Sequence, residues 1–428
     1  MNTINRIKGP EIKSIENLSF PSYKRVKLDN GIPVYILSGG TQDIFKVELF
    51  FNAGRKYENR KGVARLCNFI MKEGIQYYNS EQLAEFWDFH GAILRSYSDL
   101  DVAGHSILGL TRHAENLLDR WIQIFNCPSF NQEEIDTNGR IFSEKLKIEI
   151  SKNDVLSYRL FTAQLYGYDH QYGFNTHPKD FINQKAEELK DHWLNYYGTS
   201  NATAIISGKI DENIQKTLLD KLSLIKNVGT KIEMGEMLDI STFPSPILIN
   251  HSTNNELQTS LKMGNVCIDS HHDDYTGFST LVHILGGYFG SRLMSNLREE
   301  QGLCYNIYAT IDRMAQSSYF FISADLNVEN LELAIAGIKD EIRDLQEELI
   351  SEEELHMVRS YIKGNILSSL DGPIRCSEIL KSYLSHDLPF DYFRVFLHEL
   401  ELITPEKLRD IANNYLNTEK MTILTMGP

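Results

Sequence analysis

LGGYFGSRLMSNLREEQGLCYNIY, residues Leu285–Tyr308, is the stretch on which the reading of this chain turns. Its glycines, Gly286, Gly287 and Gly290, first suggest a loop that cradles phosphate. The spacing is not G-x-G-x-x-G, no strand-to-helix βαβ context follows, and no Lys-Ser/Thr pair closes the loop, so the pattern does not support a nucleotide site. Just beyond it, Tyr305–Ile311 and Tyr319–Ala324 read as an antiparallel pair turning through Asp312 to Gln316.

The same organisation occurs earlier in the chain. Gln301-Gly302-Leu303 followed by that hairpin corresponds to His90-Gly91-Ala92 followed by a hairpin through Asp99 to Asp101. Leu189, Tyr196 and Gly208 are separated by seven and twelve positions, and Leu408, Tyr415 and Gly427 repeat both intervals. Strands are expected at Val34–Leu37 and Phe45–Phe51, the latter alternating Phe45, Val47, Leu49 and Phe51 against Lys46 and Glu48. Helical periodicity occupies His113–Phe125, Glu133–Ser151, Leu331–Glu348 and Glu352–Ser369. Hairpins with helices collected on one side predict an α+β fold of two homologous halves, each an antiparallel sheet with helices packed on one face. The halves are expected at 1–226 and 245–428, with a polar linker at 227–244 interrupted by Gly229, Gly235 and Pro244.

Length and composition agree. A chain of 428 residues exceeds what one core usually supports, and 42% hydrophobic content can fill two. No apolar run approaches the ~18 to 20 residues of a membrane span, and the start lacks the apolar core of a secretory signal, so a cytoplasmic protein is expected. Five scattered cysteines without a C-x-x-C pair fit a reducing compartment. A formal charge of −15 argues against nucleic acid as a partner. None of the 13 histidines is spaced i, i+4 with another, and His271-His272-Asp273-Asp274 reads as a solvated turn.

The Leu285–Tyr308 block and a second segment, Gly62–Gly74 reading GVARLCNFIMKEG, resemble the insulinase/pitrilysin-type (inverzincin) metallopeptidases. In that family a helix reading roughly G-[LI]-A-H-x-x-E-H-x-x-x-K-G binds zinc, and a later block reads L-G-G-x-x-x-S-R-L-x-x-x-L-R-E-x-x-G-L-x-Y. The resemblance spans nearly the whole chain in architecture and is specific in residues only at Leu285–Tyr308. In the metal segment Gly62, Ala64, Lys72 or its neighbour, and Gly74 keep the frame, but Arg65 and Phe69 stand where the two histidines belong and Asn68 where the general-base glutamate belongs. The third ligand lies in a helix led in by F-x-x-E-E, here Phe130-Asn131-Gln132-Glu133-Glu134, and counting along reaches Lys145, with Glu144 one residue short.

The loss can be judged chemically. H-x-x-E-H offers two imidazoles on one helical face with a base between them, whereas a guanidinium has no lone pair to donate and a phenyl ring nothing to coordinate with. At ~4 Å and an effective dielectric of ~20, each unit of charge product is worth roughly 4 kcal/mol, so cations at these positions oppose a dication. The opposite face of the helix, Val63, Leu66, Cys67 and Ile70, is an intact apolar stripe.

For the retained block, the resemblance implies a short helix over Ser291–Glu300, a stop at Gln301-Gly302 and a strand from Leu303. It further implies that Arg298 and Tyr305 reach a peptide held at another subunit's zinc and stabilise charge on its carbonyl. A plainer possibility stays open: Arg298 pairs with Glu299 or Glu300, and Tyr305 is sheet packing. The expectation drawn from all this is a non-catalytic, pseudo-peptidase subunit of a heterodimeric zinc metallopeptidase, inactive alone and free of cofactor, its partner holding the zinc. It would bind peptide and could also pair with itself. Two alternatives remain: a structural or assembly protein of the same fold, and a self-sufficient hydrolase with a site not visible in the sequence.

Overall fold

The computed structural model describes residues 15, 18–173, 175–228, 248–252 and 258–428. The expected linker at 227–244 lies, from residue 229 onward, outside the described residues. Strands run at β1 Lys24–Lys27, β2 Pro33–Ser38, β3 Ile44–Phe51, β4 Ile93–Ser98, β5 Ala103–Leu110, β6 Ala202–Gly208, β7 Leu248–Ser252, β8 Thr259–Cys267, β9 Cys304–Arg313, β10 Ser318–Leu326 and β11 Thr422–Gly427. The described strands form two sheets, ordered β1-β2-β6-β3-β5-β4 and β7-β11-β8-β10-β9.

From β2 and from β7 onward the two orders coincide, so the duplication read from spacing is a duplication of topology. Each sheet carries one parallel ladder, β2 with β6 and β7 with β11, because the last strand of each half returns through helices and inserts beside the first. The repeated intervals end at equivalent places. Gly208 closes β6 and Gly427 closes β11, and a Cβ there would stand 2.9 Å from the Cα of Phe45 and of Thr259 respectively, too close for any side chain. Leu189 and Leu408 are both fully buried in their cores.

The four long helices form at Ala114–Asn126, Gln132–Ile150, Leu331–Glu347 and Glu352–Ser369. The second is started by Asn131, whose side chain accepts from Glu133 N at 2.8 Å, and the fourth by Ser351, which accepts from Glu354 N at 3.1 Å. Phe45, Val47, Leu49 and Phe51 project from β3 into a core shared with Leu66, Trp121 and Phe125, as their alternation predicts.

Alternation leads one to expect the other face of β3 in water, yet Lys46 and Glu48 are 7% and 1% exposed. A helix from the other half, Gly372–Ser385, covers them: Lys381 Nζ donates to Glu48 Oε1 and Lys46 Nζ to Glu48 Oε2, both at 2.8 Å, while Cys376 and Leu380 pack on Tyr35, Leu37 and Phe50. The exchange is reciprocal. Helix Asn153–Tyr166 of the first half lies on the second sheet, with Phe161 against Tyr319 and Phe321 and Ser157 Oγ 3.0 Å from Ser260 Oγ. Apart from these two exchanged helices, each half packs helices on one face of its own sheet, and the other face receives the helix from the opposite half. Burying a side chain such as Phe161 stabilises by about 1.5–3 kcal/mol, so this exchange ties the halves together.

Two core histidines give the first half an acid sensitivity. Burial holds the imidazole pKa of His105 down to about 3, helped by nearby Lys72, and that of His192 down to about 4. Because the folded values lie below the unfolded one, the stability these neutral rings contribute is present above about pH 6.5 and is lost as pH falls toward the folded values. At pH 5 each is expected to cost about 2 kcal/mol. Denaturant midpoints should therefore drop between pH 7 and pH 5, and the drop should shrink in a His105→Phe, His192→Phe variant. No helix among the described residues is long and apolar enough to cross a membrane.

Candidate functional site

The Val63–Ile70 helix starts at Gly62, whose left-handed φ of 90° favours glycine. Glu58 caps the same end, its carboxylate accepting from Gly62 N and Ala64 N at 3.0 Å each. Val63, Leu66, Cys67 and Ile70 are buried as the stripe predicts, which leaves Arg65 exposed on the other side. The Arg65 guanidinium lies 5.1 Å from the centroid of the Phe142 ring, and Phe69 meets the same ring edge-on at 5.1 Å.

Two sequence-based placements are corrected. Asn68 does not share the outward face with Arg65 and Phe69; it is 2% exposed and turned into the sheet. Its amide donates to the carbonyls of Tyr97 at 2.8 Å and Gly104 at 3.3 Å, and its oxygen accepts from Tyr197 Oη at 3.0 Å. Nor does Lys145 stand opposite Arg65: Lys145 is exposed, and Glu144 is exposed and paired with Lys147 at 2.6 Å. Leu146, one position on, lines the same cavity as Arg65, because Phe142 and Leu146 belong to the buried face of the Gln132–Ile150 helix. The buried spacing of Ile135, Phe142 and Leu146 was the signal that could have fixed this register.

The residues at this position do not fit zinc. A guanidinium, a phenyl ring and an aliphatic chain offer no donor, and the one amide oxygen already accepts a hydrogen bond. Among the described residues no three His, Cys, Asp or Glu side chains are grouped to hold a metal ion. The His271–Asp274 turn is occupied structurally: Asp274 accepts from Lys407 Nζ at 2.5 Å and Tyr415 Oη at 2.7 Å. Four of the five cysteines offer no ready nucleophile, since burial pushes the Cys67, Cys267, Cys304 and Cys376 thiols up, that of Cys304 to about 11.

The second block is built to present side chains outward. Helix Tyr275–Gly286 comes so close to β9 that a Cβ on Gly286 would be 2.5 Å from Ala309 N, a backbone atom. Gly286→Ala is expected to cost about 1–3 kcal/mol in a denaturant melt, because the helix or the strand must shift. The chain then winds into a π-helical turn, Met294–Glu300, anchored by buried Met294 and Leu297, and reverses at Gly302, whose φ is 65°. Leu303 N donates back to Leu297 O at 2.9 Å. Within the block Arg292 is the structural arginine, held by both oxygens of Glu354 at 2.9 and 2.8 Å.

Arg298 differs. No carboxylate among the described residues lies within 4.0 Å of it, and its guanidinium rests 5.4 Å from the centroid of Phe289, itself 63% exposed. Tyr305 sits on β9, the edge strand of its sheet, and is 76% exposed. The plainer possibilities, a Glu299 or Glu300 ion pair and sheet packing, are not what the structure contains. Both side chains are open to a ligand.

Comparison with known proteins places these features. A family model for insulinase (peptidase family M16) matches residues 34–166, and one for the peptidase M16 inactive domain matches residues 184–362. An uncharacterized zinc protease of Rickettsia felis is 23% identical over 423 residues, covering 94% of this chain and 97% of that protein. A non-peptidase homolog of Helicobacter pylori is 19% identical over 390 residues, covering 88% and 87%. The crystal structure of a peptidase M16 inactive domain from Pseudomonas fluorescens superposes with a TM-score of 0.85 at 22% identity, over 95% of this chain and 98% of that one.

Proposed function

Because the chain belongs to the insulinase family of M16 peptidases and is a non-catalytic, peptidase-like member of it, we propose that it serves as the partner subunit of a zinc-bearing homologue. In this reading the zinc and its H-x-x-E-H helix belong to the partner, and this chain brings Arg298 and Tyr305 to the peptide. One observation carries it: where the resemblance would put the metal stand Arg65, Phe142 and Leu146, while Tyr305 is exposed and Arg298 is half-buried with no carboxylate within 4.0 Å among the described residues.

The chemistry asked of the two groups is modest. Arg298 offers a fork of N–H donors and Tyr305 an O–H, both suited to a peptide carbonyl oxygen on which negative charge develops; the zinc that would activate water for this would be held by the partner. The π-helical turn and the edge strand fix the backbone beneath each, so little ordering remains to be done on binding. Neither residue can initiate cleavage, so the isolated chain is inactive. A cytoplasmic location belongs to the same proposal and is supported by five unpaired cysteines.

The test is reconstitution. The purified chain is mixed with a zinc-bearing homologue and cleavage of a fluorogenic peptide is followed, with each protein alone as control. Cleavage that needs both supports the proposal. A stable complex without any gain in cleavage would favour the assembly-protein alternative.

A further inference from the structure

The helical layer of the second half encloses a cavity of about 440 Å³. Ala309, Ile311 and Arg313, alternate residues of β9, form one side of it, and the helices Tyr275–Gly286, Glu352–Ser369, Gly372–Ser385 and Tyr392–Leu402 form the others. The volume falls within the ~300–1,000 Å³ of small-ligand pockets. Rings supply much of the surface: Tyr275, Tyr383, Tyr392, Phe393 and Phe396 all border it. Tyr383 meets Tyr392 edge-on at 5.2 Å between ring centroids, and Phe396 stacks on Tyr392 at 6.3 Å, so this wall is braced before any ligand arrives.

The charge in the lining has one sign. Arg313 borders the cavity, and no Asp or Glu does among the described residues. Arg313 is exposed, is hydrogen-bonded to the Tyr275 phenol, and has no carboxylate within 4.0 Å among the described residues. The acidic groups of the surroundings are engaged elsewhere. Asp269 accepts from His271 N at 2.9 Å, Glu399 from Thr276 Oγ1, and Asp312 from Tyr319 Oη at 2.7 Å. Arg313 also borders a second cavity, between the halves, whose acids are Asp99 and Asp101; Lys381 and Arg55 act on Asp99, and Lys56 pairs with Asp101 at 2.6 Å. His283 adds no charge, because its Nδ1 donates to Ser279 O at 2.8 Å and burial lowers its pKa. Burial also keeps the Tyr383 and Tyr392 phenols neutral, that of Tyr383 pushed up to about 12, and Arg313 acts on both through its charge. One guanidinium and two neutral O–H donors therefore meet at the edge of an aromatic wall.

We propose that this cavity binds a small aromatic monocarboxylate, its ring against Tyr383, Tyr392 and Phe396 and its carboxylate on Arg313. The charge of the lining selects the class. A cation meets Arg313 without a counter-charge, and a dianion brings a second charge against apolar rings with no second cation to receive it. A monocarboxylate matches the planar fork of one arginine with two parallel hydrogen bonds, and its ring gains edge-to-face and stacking contacts that an alkyl chain lacks. The inference is independent of any role for Arg298 and Tyr305, and its test uses the chain alone.

Isothermal titration calorimetry of the full chain at low ionic strength is the direct experiment, with three probes: 2-naphthylacetate, the uncharged 2-naphthaleneethanol, and decanoate. The naphthylacetate is expected to bind one-to-one with a Kd at or below about 1 mM, and the alcohol at least about tenfold more weakly. Arg313→Gln, at an exposed position, should remove the advantage of the acid over the alcohol. Asn365→Trp, exposed at the rim, should weaken both naphthyl probes by obstructing entry. Unchanged thermal melts of the two variants establish that each is folded. Decanoate binding more tightly than naphthylacetate would overturn the aromatic assignment. No binding of naphthylacetate to the unaltered chain, or binding unchanged in both variants, would overturn the site.

Discussion

Replacing Arg298 by Ala together with Tyr305 by Phe is expected to lower kcat/KM of the reconstituted peptidase pair by about 10²–10³-fold while leaving the stability of this chain unchanged. The magnitude follows from the cost of removing a donor aimed at a developing oxyanion, about 10²–10³ in rate for one well-placed group. Two groups that act on the same carbonyl are not additive, so the double variant should exceed the stronger single variant by less than the product. Stability should hold because neither side chain is tied by an ion pair: Tyr305 is 76% exposed, and Arg298 has no carboxylate within 4.0 Å among the described residues and rests only against Phe289, itself 63% exposed. Arg292→Ala supplies the contrast. It breaks the bidentate bond to Glu354 at 2.9 and 2.8 Å and should lower stability. An unaltered kcat/KM in the Arg298, Tyr305 double variant would remove the role assigned to the pair.

Glu48→Ala should destabilise the chain by about 3–5 kcal/mol, read as a lower denaturant midpoint at constant m-value. Glu48 is 1% exposed and accepts from Lys46 and Lys381 at 2.8 Å each, so its removal leaves Lys46, 7% exposed, without its closest enclosed counter-charge. Glu378 still reaches Lys46, but its side chain is 54% exposed and also serves Lys381 at 3.0 Å. Replacing the pair as Lys46→Met with Glu48→Leu should recover most of the loss, since desolvation of both charges is then avoided and Lys381 keeps Glu378. The reciprocal packing sharpens this expectation: the cluster joins β3 of one half to a helix of the other, so its disruption loosens the contact between halves as well as one sheet.

The sequence was informative where structure is local. The alternation of β3, the hairpin of β9 with β10 and the repeated Leu-Tyr-Gly intervals all carry their periodicity in a short window, and all appear in the folded chain. It was silent where the contact is remote. Nothing near Lys46 and Glu48 announces that Gly372–Ser385 will cover them, so two residues patterned for solvent turned out buried. The metal-site helix shows both sides of this. Its apolar stripe was readable at Val63, Leu66, Cys67 and Ile70, whereas Asn68 was drawn off the outer face by carbonyls of β4 and β5. Counting from a distant landmark reached Lys145, one residue from Leu146, because a count carries no knowledge of which face of the helix is buried. Arg55, Arg65, Arg159 and Arg313 line one cavity, and only folding brings these distant positions together.

Zinc content of the purified chain, measured by elemental analysis after dialysis against zinc-containing buffer, tests the central claim most directly. Arg65, Phe142 and Leu146 supply no donor and Asn68 is bound into the sheet, so far less than one zinc per chain is expected. Zinc bound at one per chain, and lost on substitution of Arg65, Asn68, Phe69 or Leu146, would contradict it.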